Sequence, residues 1–127
     1  MKSLIVRAMA LLMLLGAWGI AAADTVRVVW ICEVNEGKTM DEVREANAAW
    51  VRYHKANASD GITSMILTPM IGNTTPGRFI FADDFPDLAT WSASLALSQT
   101  DEGQEIDAAI AEAATCAQNS MHNAEES

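Results

Sequence analysis

The side chains in this sequence that are best suited to bind or transform a small molecule are aromatic residues with a few polar neighbours. They are Trp30, Asn47, Trp50, Tyr53, His54 and Trp91. Four of the six recur at separations of three and four, which places them close together on one helix. Aromatic walls could stack on a ligand, polar groups could orient an acidic substrate, and a histidine that titrates near neutral pH could take a proton.

This pattern predicts two kinds of site residue. Asn47, Tyr53 and His54 are candidate catalytic residues, and the tryptophans Trp30, Trp50 and Trp91 are candidate ligand-binding residues. Aromatic side chains at helical spacing usually belong to a packed core, so a filled interior is the competing interpretation. His54 comes late in its helix and could also face solvent.

No motif indicates a cofactor or a metal ion. The sequence lacks the P-loop, the dinucleotide-binding glycine pattern, G-x-S-x-G and H-E-x-x-H. We therefore expect no cofactor and no metal site. Haem binding is a weaker alternative, with His54 as the ligand and Met65 or Met70 as a further one.

Three acidic residues, Asp83, Asp84 and Asp87, lie at a predicted strand-to-helix junction. They lack the spacing of an EF-hand calcium loop. Because aspartate is favoured at helix N-termini, we interpret them as helix caps and solvated charge.

The N-terminus has the features of a secretion signal. Lys2 and Arg7 precede an apolar run, and Ala21-Ala22-Ala23 offers a cleavage site. Removal of residues 1–23 leaves one domain, 24–127, and takes the formal charge from −9 to −11, because two cations leave. So acidic a domain is unsuited to nucleic acid or an anionic membrane surface, and we expect a periplasmic or secreted protein.

Cys32 and Cys116 are the only cysteines. An even pair in an exported protein predicts a disulfide, here between the end of the first strand and the end of the last helix. Two free thiols, or a link between subunits, are the alternatives.

The elements that must position these residues follow from hydrophobic periodicity and turn chemistry. The pattern predicts three strands, at 25–32, 63–71 and 78–82. It predicts three helices, at 40–56, from 83–86 onward and at 101–115. The tail at 117–127 is predicted to be weakly structured or to form a short fourth strand. The first strand is apolar on both faces, which predicts a central strand covered on both sides. Helices suffice for one face only, so a second subunit would cover the other.

The order β-α-β-β-α-α, with a terminal β, is that of the split β-α-β, ferredoxin-like class. Three stretches, CEVNEGKTMDEV, TSMILTPMIGNTTPGRFIF and FADDFPDLATWSASLALSQTDEGQEI, fit that order across nearly all of the domain. In this the chain resembles the dimeric α/β-barrel superfamily, and looks most like its small secreted bacterial members of unassigned function. The resemblance implies an α+β fold whose antiparallel sheet has helices on one face and packs sheet to sheet in a homodimer.

The resemblance also implies functions, because some members are cofactor-free monooxygenases or haem-degrading enzymes with Asn, Trp, Tyr or His around an apolar cavity. We expect an exported homodimer that binds a small apolar or aromatic molecule or serves a structural role. The alternative is a cofactor-independent monooxygenase-like enzyme acting on a small aromatic or apolar substrate.

Overall fold

A four-stranded antiparallel sheet forms one layer of the molecule, with strand order β2-β3-β1-β4. The computed structural model describes residues 24–72 and 74–127, so the predicted signal peptide lies outside the described residues. The elements are β1 (Thr25–Val34), α1 (Met40–Asn57), β2 (Thr63–Leu67), β3 (Arg78–Phe85), α2 (Leu88–Leu97), α3 (Asp101–Ala113) and β4 (Ala114–Ala124). This order and pairing confirm the predicted ferredoxin-like α+β fold, with β1 as an inner strand.

The first and third helices begin where local chemistry predicts, whereas α2 begins at Leu88, later than the predicted opening at 83–86. The Thr39 side chain accepts a hydrogen bond from the backbone N–H of Glu42, whose carboxylate accepts one from the backbone N–H of Thr39, so the capping box forms. Asp87 caps α2 and Thr100 caps α3. Gly103 lets α3 approach the end of α2 closely, because a Cβ there would collide with the carbonyl oxygen of Leu97.

The third strand is longer than the sequence predicts, and this corrects the interpretation of two acidic residues. β3 continues through Phe85, so Asp83 and Asp84 lie in the strand and do not cap a helix. Strand alternation sends them to opposite faces. Asp83 is buried on the helix side, and Asp84 pairs with Arg27 on the other side, with Nε–Oδ1 and Nη2–Oδ2 distances of 2.6 and 2.7 Å.

The fourth strand also exceeds the prediction for the tail. β4 runs for 11 residues and pairs with β1 from Thr25 to Val34, although most of its side chains are polar and exposed. Cys116 lies within this strand, beyond the last helix, and forms the predicted disulfide with Cys32, its partner across the two strands. The bond closes a separation of 84 residues and fixes the register of β4 next to a bulge.

The two faces of the sheet have different surroundings. Phe79, Phe81 and Phe85 on β3 are at most 4% exposed, beneath the helices. The other face, which we call the outer face, carries Val29 and Ile31 of β1, Met65 and Leu67 of β2, and Ile80 and Ala82 of β3, as the strand register requires. Met65 and Leu67 are 41% and 47% exposed. Within the described residues, no helix has the length and apolar character needed to cross a membrane.

Candidate functional site

A cavity of about 390 Å³ lies between the helix-side face of the sheet and the helices. Its volume is within the range of small-molecule sites. The aromatic part of its wall consists of Trp30, Trp50, Phe81, Phe85 and Trp91. The three tryptophans predicted to bind a ligand therefore line an open space and do not fill it. The same three tryptophans also pack against the buried core residues beside this space.

Asn47 is the one candidate catalytic residue that reaches the cavity wall. It projects from α1, is 8% exposed, and its Nδ2 lies 3.1 Å from Ser64 Oγ on β2. Ser64 Oγ in turn donates to Asp83 Oδ1 at 2.5 Å. Because the serine has one proton and a carboxylate is its strongest acceptor, the hydroxyl points to Asp83 and accepts from the Asn47 amide. The three side chains form one hydrogen-bonded chain, here called the relay, and both of its ends, Asn47 and Asp83, line the cavity.

Burial raises the pKa of Asp83 from 3.8 to about 6, the hydrogen bond from Ser64 opposes that rise, and the nearby charge of Asp84 adds to it. Asp83 lines the cavity and is 8% exposed. A carboxyl group with a pKa close to neutrality is suited to proton exchange with a ligand. The sequence missed this residue, because an Asp-Asp pair before Phe-Pro has the pattern of a helix start. The signal that could have found it is period two in FIFADDF, which continues the inward face through Asp83.

His54 is fully buried and lies behind the cavity wall. Its Nδ1 is 2.7 Å from Ser94 Oγ, its ring stacks on Trp50 at 4.1 Å between centroids, and its Nε2 has no hydrogen-bond partner. Burial lowers the pKa of His54, and the charge of Asp107 opposes that shift only in part. Ser94 lines the cavity, so His54 touches the site through that serine. The alternative that His54 faces solvent is wrong.

Tyr53 does not line the cavity. Its hydroxyl lies 3.0 Å from Thr100 Oγ1, the cap of α3, so it joins α1 to the start of that helix. A haem site from the predicted residues is not assembled either, because His54 is buried on the helix side, Met65 lies on the outer face, and Met70 is 90% exposed in a loop. Across residues 24–72 and 74–127, no three histidine, cysteine or acidic side chains are grouped as a metal site requires.

Further polar groups reach the cavity from α2 and α3. Ser94 and Ser98 come from the end of α2, and Asp107 comes from the middle of α3. Cys116 lines the cavity as well, so the disulfide is part of its wall. The acidic Asp107 was not singled out in the sequence, since exposed and inward acidic residues on a helix look alike without the packing of that helix.

No protein-family model matches the chain, and a sequence search of curated proteins finds no match. Solved structures are similar in fold. SnoaB, a cofactor-independent oxygenase from Streptomyces nogalater, has a TM-score of 0.61 at 13% identity, over 83% of this chain and 97% of its own. A conserved protein from Methanosarcina mazei Go1 has a TM-score of 0.59 at 12% identity, over 82% and 96%.

A dimeric ferredoxin-like protein of unknown function from Thermobifida fusca has a TM-score of 0.50 at 12% identity, over 82% of this chain and 93% of its own. At these identities the similarity concerns the fold alone. These structures confirm the predicted ferredoxin-like fold.

Proposed function

We propose that this protein is an exported homodimer that binds a small aromatic or apolar molecule in the cavity between the sheet and the helices. The observation that carries the proposal is the cavity itself, which has about 390 Å³ of space lined by five aromatic side chains. A core with no ligand to accommodate packs densely, since open space forfeits dispersion contacts. The polar relay at Asn47, Ser64 and Asp83 is placed to orient a ligand.

The homodimer is supported by the outer face of the sheet. Six apolar side chains are contiguous there by strand register, and large apolar patches on a surface indicate an interaction site. A second copy of the same sheet would cover them with a complementary apolar surface. The disulfide and the acidic composition support an exported protein, because disulfides persist in oxidising compartments.

A cavity-filling variant tests ligand binding. Ala111 lines the cavity from α3, whereas Ala108 of the same helix is exposed and lies outside it. Ala111→Phe should weaken binding of indole or naphthalene at least about tenfold by occupying their space, and Ala108→Phe should leave it unchanged. Isothermal titration measures both. Equal binding by the two variants, or no binding by the unmodified protein, would rule out the cavity as the site.

Introducing a charge into the outer face tests the dimer. Leu67 lies on the outer face and Leu88 lies on α2, and they are 47% and 58% exposed. Leu67→Lys should shift the protein from dimer to monomer in sedimentation velocity, since the symmetry places the charge twice in one interface. Leu88→Lys is the matched control. A monomeric unmodified protein at micromolar concentration would refute the dimer.

The second candidate is a cofactor-independent oxygenase, and the observation that favours it is the buried carboxyl of Asp83 with its pKa of about 6. Without a cofactor, the substrate itself must supply electrons to O2. Asp83 would take a proton from an activated CH2 group, the carbon would give its electrons to O2, and loss of water would leave a C=O group. One CH2 and one O2 thus become one C=O and one H2O.

Anthrone, a flat ketone with such a CH2 group, is a suitable probe. The enzyme hypothesis expects turnover of anthrone with O2 uptake, a pH profile with a midpoint near 6, and loss of turnover in Asp83→Asn. Binding of anthrone without O2 uptake above the uncatalysed rate would leave the binding protein as the function and exclude this oxygenase reaction.

A further inference from the structure

The charged groups around the cavity are all negative. Asp83 and Asp107 line it, and none of the described residues in its wall is lysine, arginine or histidine. Asp83 Oδ1 accepts the hydrogen bond from Ser64, whereas no described residue donates to Oδ2. A carboxylate in a largely buried position gains free energy when a ligand supplies a further donor.

The aromatic part of the wall favours the same kind of ligand. Trp30, Trp50 and Trp91 all line the cavity, and indole is the aromatic side chain that attracts cations most strongly through its π face. Carboxylates among indole rings are the surroundings in which proteins hold ammonium groups. An anionic ligand would meet two carboxylates with no compensating cation.

Arg27 is next to Val28 of the cavity wall in the sequence, but it does not offset the negative charge of the cavity. Arg27 belongs to the outer face, where both of its hydrogen bonds go to Asp84. The protein as a whole is acidic, with a formal charge of −9, so its field also attracts cations.

We propose that the cavity selects an aromatic compound that carries a protonated amine, with the ammonium group at Asp83 and the ring against the tryptophans. This selectivity rests on the proposed ligand-binding function and names the class of ligand. It excludes aromatic carboxylates from the site. A neutral aromatic alcohol of the same shape binds more weakly, because it leaves the charge of Asp83 uncompensated.

Three indole derivatives that differ at the end of the side chain separate these classes. Tryptamine is a cation at neutral pH, tryptophol is its neutral counterpart of nearly equal shape, and indole-3-acetate is an anion. Isothermal titration at pH 7 should show tryptamine binding at least about tenfold more tightly than tryptophol, as a desolvated cation against indole requires. Indole-3-acetate should bind most weakly. The indole N–H signals of Trp50 and Trp91 in NMR spectra report whether the probe occupies the cavity.

The pH dependence adds a second readout. Tryptamine affinity should rise about tenfold from pH 5 to pH 7, as Asp83 ionises, while tryptophol affinity should not rise. The other titratable groups near Asp83 are Asp84 on the same strand, Asp107 on α3, and His54 behind Ser94.

Isosteric variants complete the experiment. Asp83→Asn should reduce the preference for tryptamine over tryptophol to within about twofold, and Asp107→Asn should lower it in the same direction. Asp60→Asn removes the same charge from an exposed loop and should retain the preference. If tryptophol or indole-3-acetate binds as tightly as tryptamine, the selectivity is refuted and the binding function stands. If none of the three shifts the tryptophan signals, both are refuted.

Discussion

Replacing Asp83 by asparagine should make folding stability less dependent on pH. Burial raises the pKa of Asp83 from 3.8 to about 6, so the folded state holds the proton over a range in which the unfolded state has released it. Below about pH 4 the carboxyl group is protonated in both states and does not lower the free energy of unfolding. Between about pH 4 and pH 6 the unfolded state releases this proton while the folded state retains it, so the free energy of unfolding falls; above pH 6 both states are ionised and the loss stays constant.

The size of the effect follows from the shift. A difference of about 2 pKa units corresponds to about 3 kcal/mol at roughly 1.4 kcal/mol per unit. That is a large part of the 5–15 kcal/mol, roughly, by which ordinary domains are stable. Asparagine keeps the shape and can still accept from Ser64, so Asp83→Asn should gain about 3 kcal/mol over the unmodified protein between pH 4 and pH 7.

Urea unfolding followed by tryptophan fluorescence measures this difference, at equal protein concentration because a dimer's stability depends on it. Other shifted groups, such as Glu42 and Asp87 with their lowered pKa values, act alike in both proteins and cancel. Asp60→Asn, at an exposed position, should show no such gain. If the stability curves of Asp83→Asn and the unmodified protein run parallel from pH 4 to 7, the buried ionisation inferred here is wrong.

Three further predictions concern the scaffold. Replacing Cys32 and Cys116 by alanine should lower the free energy of unfolding by up to about 4.5 kcal/mol, which is the loop-closure value for 84 residues. Differential scanning calorimetry measures the change, and an unchanged unfolding midpoint would show that the bond does not stabilise the fold. Thr39→Ala breaks the capping box and should cost about 1 kcal/mol in urea unfolding, against no loss for the exposed Thr74→Ala. His54 should titrate below its ordinary pKa of 6.5 in NMR spectra, since burial disfavours its charged form. Its contribution to stability should be present above pH 6.5 and decrease as the pH falls below that value. Titration at 6.5 or above would contradict its burial.

Local chemistry explains which parts of the fold the sequence predicts. Thr39 with Glu42, Asp87 and Thr100 all cap helices, because a cap depends on residues within one turn of it. The strand ends are set by longer-range pairing. Asp84 lies in β3 because its carboxylate accepts two hydrogen bonds across the sheet from Arg27, which lies 57 positions earlier.

The last strand shows the same limit more sharply. β4 is too polar for its sequence to predict a strand. It forms because β1 presents an edge of unpaired backbone groups, and because Cys116 is bonded to Cys32 in that register. The polar side chains are tolerated because β4 is itself the edge of the sheet, where they meet solvent.

The candidate site divides in the same way. Trp30, Trp50, Trp91 and Asn47 follow from their residue types and spacing, and the structure places all four around one cavity. Whether Asp83 reaches the cavity depends on how far β3 extends, and the sequence does not determine the end of that strand. His54 and Tyr53 carry the right chemistry, but they face Ser94 and Thr100 and not the open space.

The position of Asp83 links stability to binding. An asparagine there would keep the relay from Ser64 and Asn47 without the cost of ionisation, so packing alone does not explain a carboxyl group at this depth. A ligand that brings a donor or a positive charge to Oδ2 would lower the pKa of Asp83 and recover the free energy that its ionisation costs. A neutral ligand without a donor would recover none of it. The dependence of ligand-induced stabilisation on pH therefore distinguishes a cavity shaped for any apolar molecule from one that recognises a charged or proton-donating group.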